Sequence, residues 1–245
     1  MACIDPAPTT LAIHGAGGGG WEWAIWQRVW AARNRPFIAP DLVPASGGLA
    51  QTRLADYVTQ MQCAAAAWQR PWLVGASLGG LIALAIAGEV DAAALVLVDP
   101  VPPLGIQPRP PQRVTNGDIV PWGSRRRFDS TVRALPDADA AARHHAFRRW
   151  RDESAAVVRE AAAGIPANRP RCPVLVLAAT GDDAVPTDAS RALARWLDAT
   201  FWVCAASHVG PLLGYPAAST AARVLDWLQA EAGLTKPTQV RPPTE

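Results

Sequence analysis

Trp72-Leu73-Val74-Gly75-Ala76-Ser77-Leu78-Gly79-Gly80-Leu81-Ile82-Ala83-Leu84-Ala85-Ile86-Ala87 decides the fold. The run WLVG is short, apolar and strand-like, and LGGLIALAIA is rich in leucine and alanine, as a buried helix would be. Ser77 stands where one gives way to the other, with glycines two residues before and two after. A serine in a strand-to-helix turn of this kind occupies a sharp, strained backbone, and its neighbours must be small for the chain to pass. Gly75, Gly79 and Gly80 meet that need. The helix N-terminus beneath the turn favours developing negative charge. The strand before and the helix after separate this pattern from a chance match in a chain with 19 glycines.

Working outward, further apolar runs read as strands: Thr10–His14, Pro36–Asp41, Ala94–Val98, Val174–Ala178 and Phe201–Ala205. Nearly all are apolar on both faces, as strands of a parallel sheet covered by helices would be. Helix candidates fall at about residues 22–33, 51–69, 78–88, 187–198 and 217–232. This alternation implies right-handed crossovers and an α/β fold with a mostly parallel, doubly wound sheet, whose ligands bind at the carboxyl ends of the strands.

Residues 101–171 break the rhythm. They open on a proline cluster (VPPLGIQPRPP) and contain no convincing strand, so a helical cap inserted into a core of 1–100 and 172–232 is expected. The cap carries 13 Arg against 7 Asp and Glu, a net of +6, while the rest sums to −4, with 10 basic and 14 acidic residues. The overall +2 is therefore a cancellation, and it offers no global polycation for nucleic acid. The tail at 233–245 is polar and proline-rich, and disorder is expected there.

The remaining composition bounds the class. A chain of 245 residues that is half hydrophobic has ample material for one buried core. Four scattered cysteines without a C-x-x-C pair argue against a zinc site or a disulfide framework. The first ten residues lack the basic and apolar regions of a signal peptide, and Leu73–Gly88 is too short and broken to span a membrane. A cytoplasmic protein, monomeric or dimeric, is expected. Arginine outnumbers lysine 22 to 1, a bias we ascribe to codon usage, and the 11 tryptophans call for packing or binding roles.

The serine needs partners. Of four histidines, His208 follows the last strand and can swing over the sheet's edge towards Ser77. His144 and His145 lie in a solvated-looking cap helix (RHHAFRRWRDE), and His14 reads as structural. The orienting acid should lie between serine and histidine in the chain. Asp182 and Asp183 follow the strand VLVLA, and Asp99 follows ALVLV. The glycine loop His14–Trp21 can supply one backbone donor to an oxyanion, from Ala16, and Leu78 the other. That loop lacks the Lys-Ser/Thr end of a phosphate-binding loop, and its match to G-x-G-x-x-G is weak.

The loop His14–Trp21, the elbow Gly75–Gly79, the turn Gly181–Pro186 and the region Ser207–Pro216 together resemble, in order and spacing, the α/β-hydrolases of the small single-domain esterase type. The resemblance covers about residues 10–232. In that family the acid commonly stands four residues before a proline, so Pro186 selects Asp182. The resemblance implies an ester or thioester hydrolase with the triad Ser77, Asp182 and His208, needing no metal or organic cofactor. Two departures stand out. Only nine residues precede the first strand, which implies a sheet trimmed at its edge, and Ser207 stands where the family often has glycine.

The cap should shape the substrate site. Trp21, Trp122, Phe128, Phe147 and Trp150 are candidates for its wall. Arg148 and Arg149, with Arg143, Arg151 and Arg159, are candidates for one basic face towards a carboxylate or an acidic partner. The chain is similar in size and motif order to methyl ester esterases acting on pimeloyl-[acyl carrier protein]. That narrower resemblance implies a small acyl ester carried by an acidic carrier protein docked on the cap. A thioesterase, an acyltransferase or a lyase would keep the same triad, and a ligand receptor without turnover would need none of it. A dehalogenase or epoxide hydrolase would carry aspartate at the elbow.

Overall fold

Burial on both faces is what the apolar runs predict, and six of them assemble into one parallel sheet. The computed structural model describes residues 8–111 and 117–234. Residues 1–7 of the leader reading and 235–245 of the expected tail lie outside them, while 233 and 234 of that tail close the last helix. In chain order the core elements are β1 (Thr10–Ile13), α1 (Ala24–Ala31), β2 (Phe37–Ile38), α2 (Leu54–Ala65), β3 (Trp72–Ala76), α3 (Leu78–Ala87) and β4 (Ala94–Val98). The cap segment follows with β5 (Ile119–Val120), α4 (Phe128–Ala134), α5 (Ala140–Phe147), β6 (Glu153–Ser154) and α6 (Ala155–Ala163). The chain returns through β7 (Val174–Gly181), α7 (Thr187–Leu197), β8 (Thr200–Ser207), α8 (Gly210–Leu213) and α9 (Ala217–Leu234).

The strand order is β2-β1-β3-β4-β7-β8, and every neighbouring pair is parallel. Period-two alternation sorts the side chains. Leu11, Leu73, Leu95 and Val176 pack with α2, α3 and α7 on one face. Ala12, Trp72, Val74, Val96 and Leu175 pack with α1 and α9 on the other. Trp23, Trp26 and Trp30 recur at helical spacing, and all three are fully buried. Trp26 and Trp30 stack with centroids 5.6 Å apart, and Trp23 meets Trp26 edge-on at 5.2 Å. Their size fills the space beside a short edge, since β2 is only two residues long. At the opposite edge Arg191 and Arg223 lie over the rings of Phe201 and Trp202.

The cap differs from expectation in one respect. Two short strands form within 101–171, pairing Ile119 with Ser154 and Val120 with Glu153 in antiparallel fashion. Two-residue strands are too short to leave a period in the sequence. No helix among the described residues is long and apolar enough to cross a membrane.

Candidate active site

Ser77 sits between β3 and α3 at φ 53° and ψ −118°, a conformation that side chains rarely adopt. The turn is fixed on both sides. The Ser77 amide donates to the Val98 carbonyl, and the Ser77 carbonyl accepts from Gly80 and Val101. A Cβ at Gly75 would lie 2.2 Å from the Gly79 oxygen, and one at Gly79 would lie 2.1 Å from the Ile13 oxygen. The glycines are thus required by close backbone approach, and they press the turn against β1.

His208 follows the end of β8. Its Nε2 lies 3.0 Å from Ser77 Oγ and its Nδ1 2.7 Å from Asp182 Oδ2. A carboxylate can only accept, so Nδ1 carries the proton and Nε2 is left to accept from the serine hydroxyl. Asp182 is itself held, because its Oδ1 accepts from the amides of Ala184 (2.7 Å) and Val185 (2.8 Å). Asp183 is exposed and does not reach the ring. Burial opposes the imidazolium of His208, but the hydrogen bond and charge of Asp182, with Asp99 and Asp183 behind it, outweigh burial and raise its pKa.

Asp99 lies behind this pair. It is 2% exposed, and its Oδ1 accepts from the Ala179 amide at 2.6 Å. Burial, reinforced by the charge of Asp182, pushes its pKa well above the carboxylate range. Among the described residues, Asp99, Asp182 and His208 form the one grouping with the compactness of a metal site, their donor atoms lying within 4.8 Å of one another. The hydrogen bond from His208 to Asp182 already accounts for that proximity.

The loop after β1 approaches the serine directly. A Cβ on Gly15 would lie 3.2 Å from the Ser77 Cβ. The amide of Gly17 donates to Glu153 Oε2 (3.2 Å) and that of Gly18 to the Gly15 carbonyl (3.2 Å). Ala16 and Leu78 both line the cavity above the serine. His14 is 1% exposed. Its Nδ1 faces the Gly15 carbonyl and its Nε2 accepts from the Leu42 amide, and burial lowers its pKa to about 4. It is therefore neutral and holds backbone. Beneath the same loop Glu22 is 3% exposed, and burial pushes its pKa up to about 8.

The cavity measures about 680 Å³, and Ser77 and His208 lie in its lining. Trp122 and Trp150 form part of its wall. Trp21, Phe128, Phe147 and Arg148 are not among the lining residues, which corrects the expectation for these four. Trp21 packs behind Trp150 at 5.2 Å, edge-on. Phe147 turns away against Phe128, under the Arg126 guanidinium. Arg148 is exposed, and its Nε caps the His144 carbonyl. The expected basic face also loses members. Arg143 is spent on the carbonyls of Leu135 and Pro136, and Arg151 turns in to Asp41 and the Leu42 carbonyl. Instead Arg125, Arg126, Arg127 and Arg159 line the cavity, and the described residues of its lining include no acidic side chain. Sequence reasoning does not place the Arg125–Arg127 triplet at the site. It missed Asp137 and Glu153, which reach the site's loops from positions 70 and 136 residues away.

The sequence profile of the alpha/beta hydrolase family matches residues 11–224. No curated protein matches the sequence. Solved structures do resemble it. A pyrethroid hydrolase from Sphingobium faniae superposes with a TM-score of 0.71 at 21% identity, over 93% of this chain and 99% of that one. A methylesterase from Arabidopsis gives 0.72 at 14% identity, over 91% and 99%. Tomato methylketone synthase I gives 0.73 at 12% identity, over 93% and 100%. At these identities the likeness is one of fold.

Proposed function

The chain belongs to the alpha/beta hydrolase family, and from that premise we propose that it is a serine hydrolase that cleaves a carboxylic ester through an acyl-enzyme on Ser77. The observation that carries this reading is the alignment of Ser77 Oγ, the His208 ring and Asp182 at 3.0 and 2.7 Å beside a cavity. As Oγ attacks the carbonyl carbon, His208 Nε2 takes its proton, and Asp182 stabilises the imidazolium. The amides of Ala16 and Leu78 hold the tetrahedral oxyanion, and losing one such donor typically costs about 3–4 kcal/mol of barrier. His208 then protonates the departing alkoxide. A water that gives its proton to the same nitrogen releases the acid and restores the serine. A fluorophosphonate should label wild-type protein and leave Ser77→Ala untouched. No labelling of the wild type would sink the hydrolase reading and favour a ligand receptor.

The arginines that line the cavity support an ester that bears an anionic group. We extend this to an acyl chain on an acidic carrier protein, docking on the cap. The extension is tested by comparing short p-nitrophenyl esters, their thioester analogues, a dicarboxylate monomethyl ester and its carrier-bound form. Reversing Arg148 and Arg149 to Glu should raise KM for the carrier-bound ester and leave the p-nitrophenyl ester unaffected. An equal effect on both would count against docking.

A further inference from the structure

Two carboxylates of the cap segment grip the two loops that carry the proposed chemistry. Asp137, between α4 and α5, accepts from the Ser207 amide at Oδ2 (2.8 Å) and from the Ser207 hydroxyl at Oδ1 (2.6 Å). Its own carbonyl accepts from the Tyr215 amide (2.8 Å), so it spans both ends of the segment that holds His208. A Cβ on Gly210 would lie 2.1 Å from Asp137 Oδ2, so the carboxylate occupies space that the loop leaves for it. The hydroxyl that departs from the family's usual glycine is thus one arm of this grip.

On the other loop, Glu153 of β6 accepts from the Gly17 amide (3.2 Å), while the Arg151 amide donates to the Gly17 carbonyl (2.8 Å). Residue 17 is therefore held at both its polar groups by the cap, next to Ala16. Glu153 is 3% exposed, and its second oxygen accepts from the Tyr57 hydroxyl (3.0 Å) and the Ser154 amide (2.8 Å). The carboxylate cannot swing away without stranding buried donors.

We propose that the cap is a two-point clamp on the catalytic loops, with Asp137 and Glu153 as positioning residues: Asp137 sets the His208 ring against Ser77, and Glu153 sets the Ala16 amide over the oxyanion. The clamp rests on the hydrolase reading given above. Ala16 and His208 both sit in turns, and misplacing a reacting group by about 1 Å costs roughly a hundredfold in rate. Bonds to ionised carboxylates are roughly twice as strong as neutral ones, which suits them to this task.

The test uses the full chain with Asp137→Asn, Ser207→Ala and Glu153→Gln. The control is Arg53→Ala, which breaks the ion pair between α2 and α6 at Glu160, away from both loops. Steady-state kinetics on a p-nitrophenyl ester, affinity for a boronic acid that forms a tetrahedral adduct, and melting midpoints are measured together. Asp137→Asn and Glu153→Gln should lower kcat tenfold or more with KM within threefold, and Ser207→Ala somewhat less. For Glu153→Gln the boronate affinity should fall in step with kcat while the acid limb of the pH profile stays in place. For Asp137→Asn the acid limb should move down. Unchanged kcat with a lowered melting midpoint would reduce both carboxylates to staples and overturn the clamp. If the wild type neither labels nor hydrolyses, the hydrolase reading fails by itself. The clamp is then judged by amide exchange at Gly17 and Ser207, which must accelerate in the variants and would refute it by staying slow.

Discussion

Replacing Asp182 by asparagine separates its charge from its shape. Asp182 makes three bonds: two accepted from Ala184 and Val185 at Oδ1, and one to the His208 ring at Oδ2. An asparagine that keeps its oxygen towards the two amides must present its NH2 group to Nδ1. Two donors cannot share that contact, so the ring adopts the other tautomer and turns an Nε2 proton towards Ser77 Oγ. The base is then blocked although nothing has moved. The same substitution in a serine protease triad costs about 10⁴ in kcat, or roughly 5 kcal/mol at 1.36 kcal/mol per tenfold. Asp99 tempers this. Relieved of the charge of Asp182, it meets less opposition to ionising within 4.8 Å of the ring, though burial still opposes it and the tautomer is not restored. We therefore expect kcat/KM to fall by about 10³ to 10⁴, with the rate of fluorophosphonate labelling falling in parallel. Adding Asp99→Asn should deepen the loss. Asp183→Asn, at an exposed side chain, should stay within threefold of wild type. Asp182→Asn within tenfold of wild type, or Asp183→Asn as damaging as Asp182→Asn, would refute the assignment.

Three further outcomes follow from the same geometry. His208 is active as the neutral base and its pKa is raised from the ordinary 6.5, so the acid limb of kcat/KM should lie above that value; a limb below 6.5 would contradict the Asp182 bond. Glu22 binds a proton more tightly folded (about 8) than unfolded (4.5), so stability is full below 4.5 and is lost as pH rises towards 8, at up to roughly 1.4 kcal/mol per pH unit. Chemical denaturation of Glu22→Gln should therefore give a flatter stability profile across that window, and an unchanged slope would point to another group. Gly79→Ala drives a Cβ to 2.1 Å from the Ile13 oxygen and should lower the melting midpoint by roughly 3–10 °C; calorimetry showing no change would mean that the elbow is looser than described.

What was legible in the sequence was what local pattern controls. The four inner strands, β1, β3, β4 and β7, announce themselves because both of their faces are buried over most of their length. The elbow does so because glycine is demanded on each side of Ser77. Asp182 is distinguished from Asp183 only by Pro186 and the resemblance, since neither residue's reach can be read from composition. Trp23, Trp26 and Trp30 carry a helical period that assigns them to the core, whereas Trp122 and Trp150 are isolated and carry none. The grips of Asp137 and Glu153 were illegible for a plain reason. They join residues far apart in the chain, and a single carboxylate in an arginine-rich cap looks like any solvated charge. The expected basic face loses Arg143 and Arg151 likewise, because each turns to backbone carbonyls elsewhere, while Arg159 lines the cavity.

At Ser77 the demands of the fold and of the chemistry part company. With φ at 53° and ψ at −118°, the backbone stores strain of order 1–3 kcal/mol, and glycine would relieve much of it at the loss of the one hydroxyl that matters. The position is thus a local trade in which durability is given up for reactivity. An inactive descendant of this chain would be free to become more stable by that single change, so a more heat-resistant variant from an unselected library is as apt to have lost its nucleophile as to have improved its core.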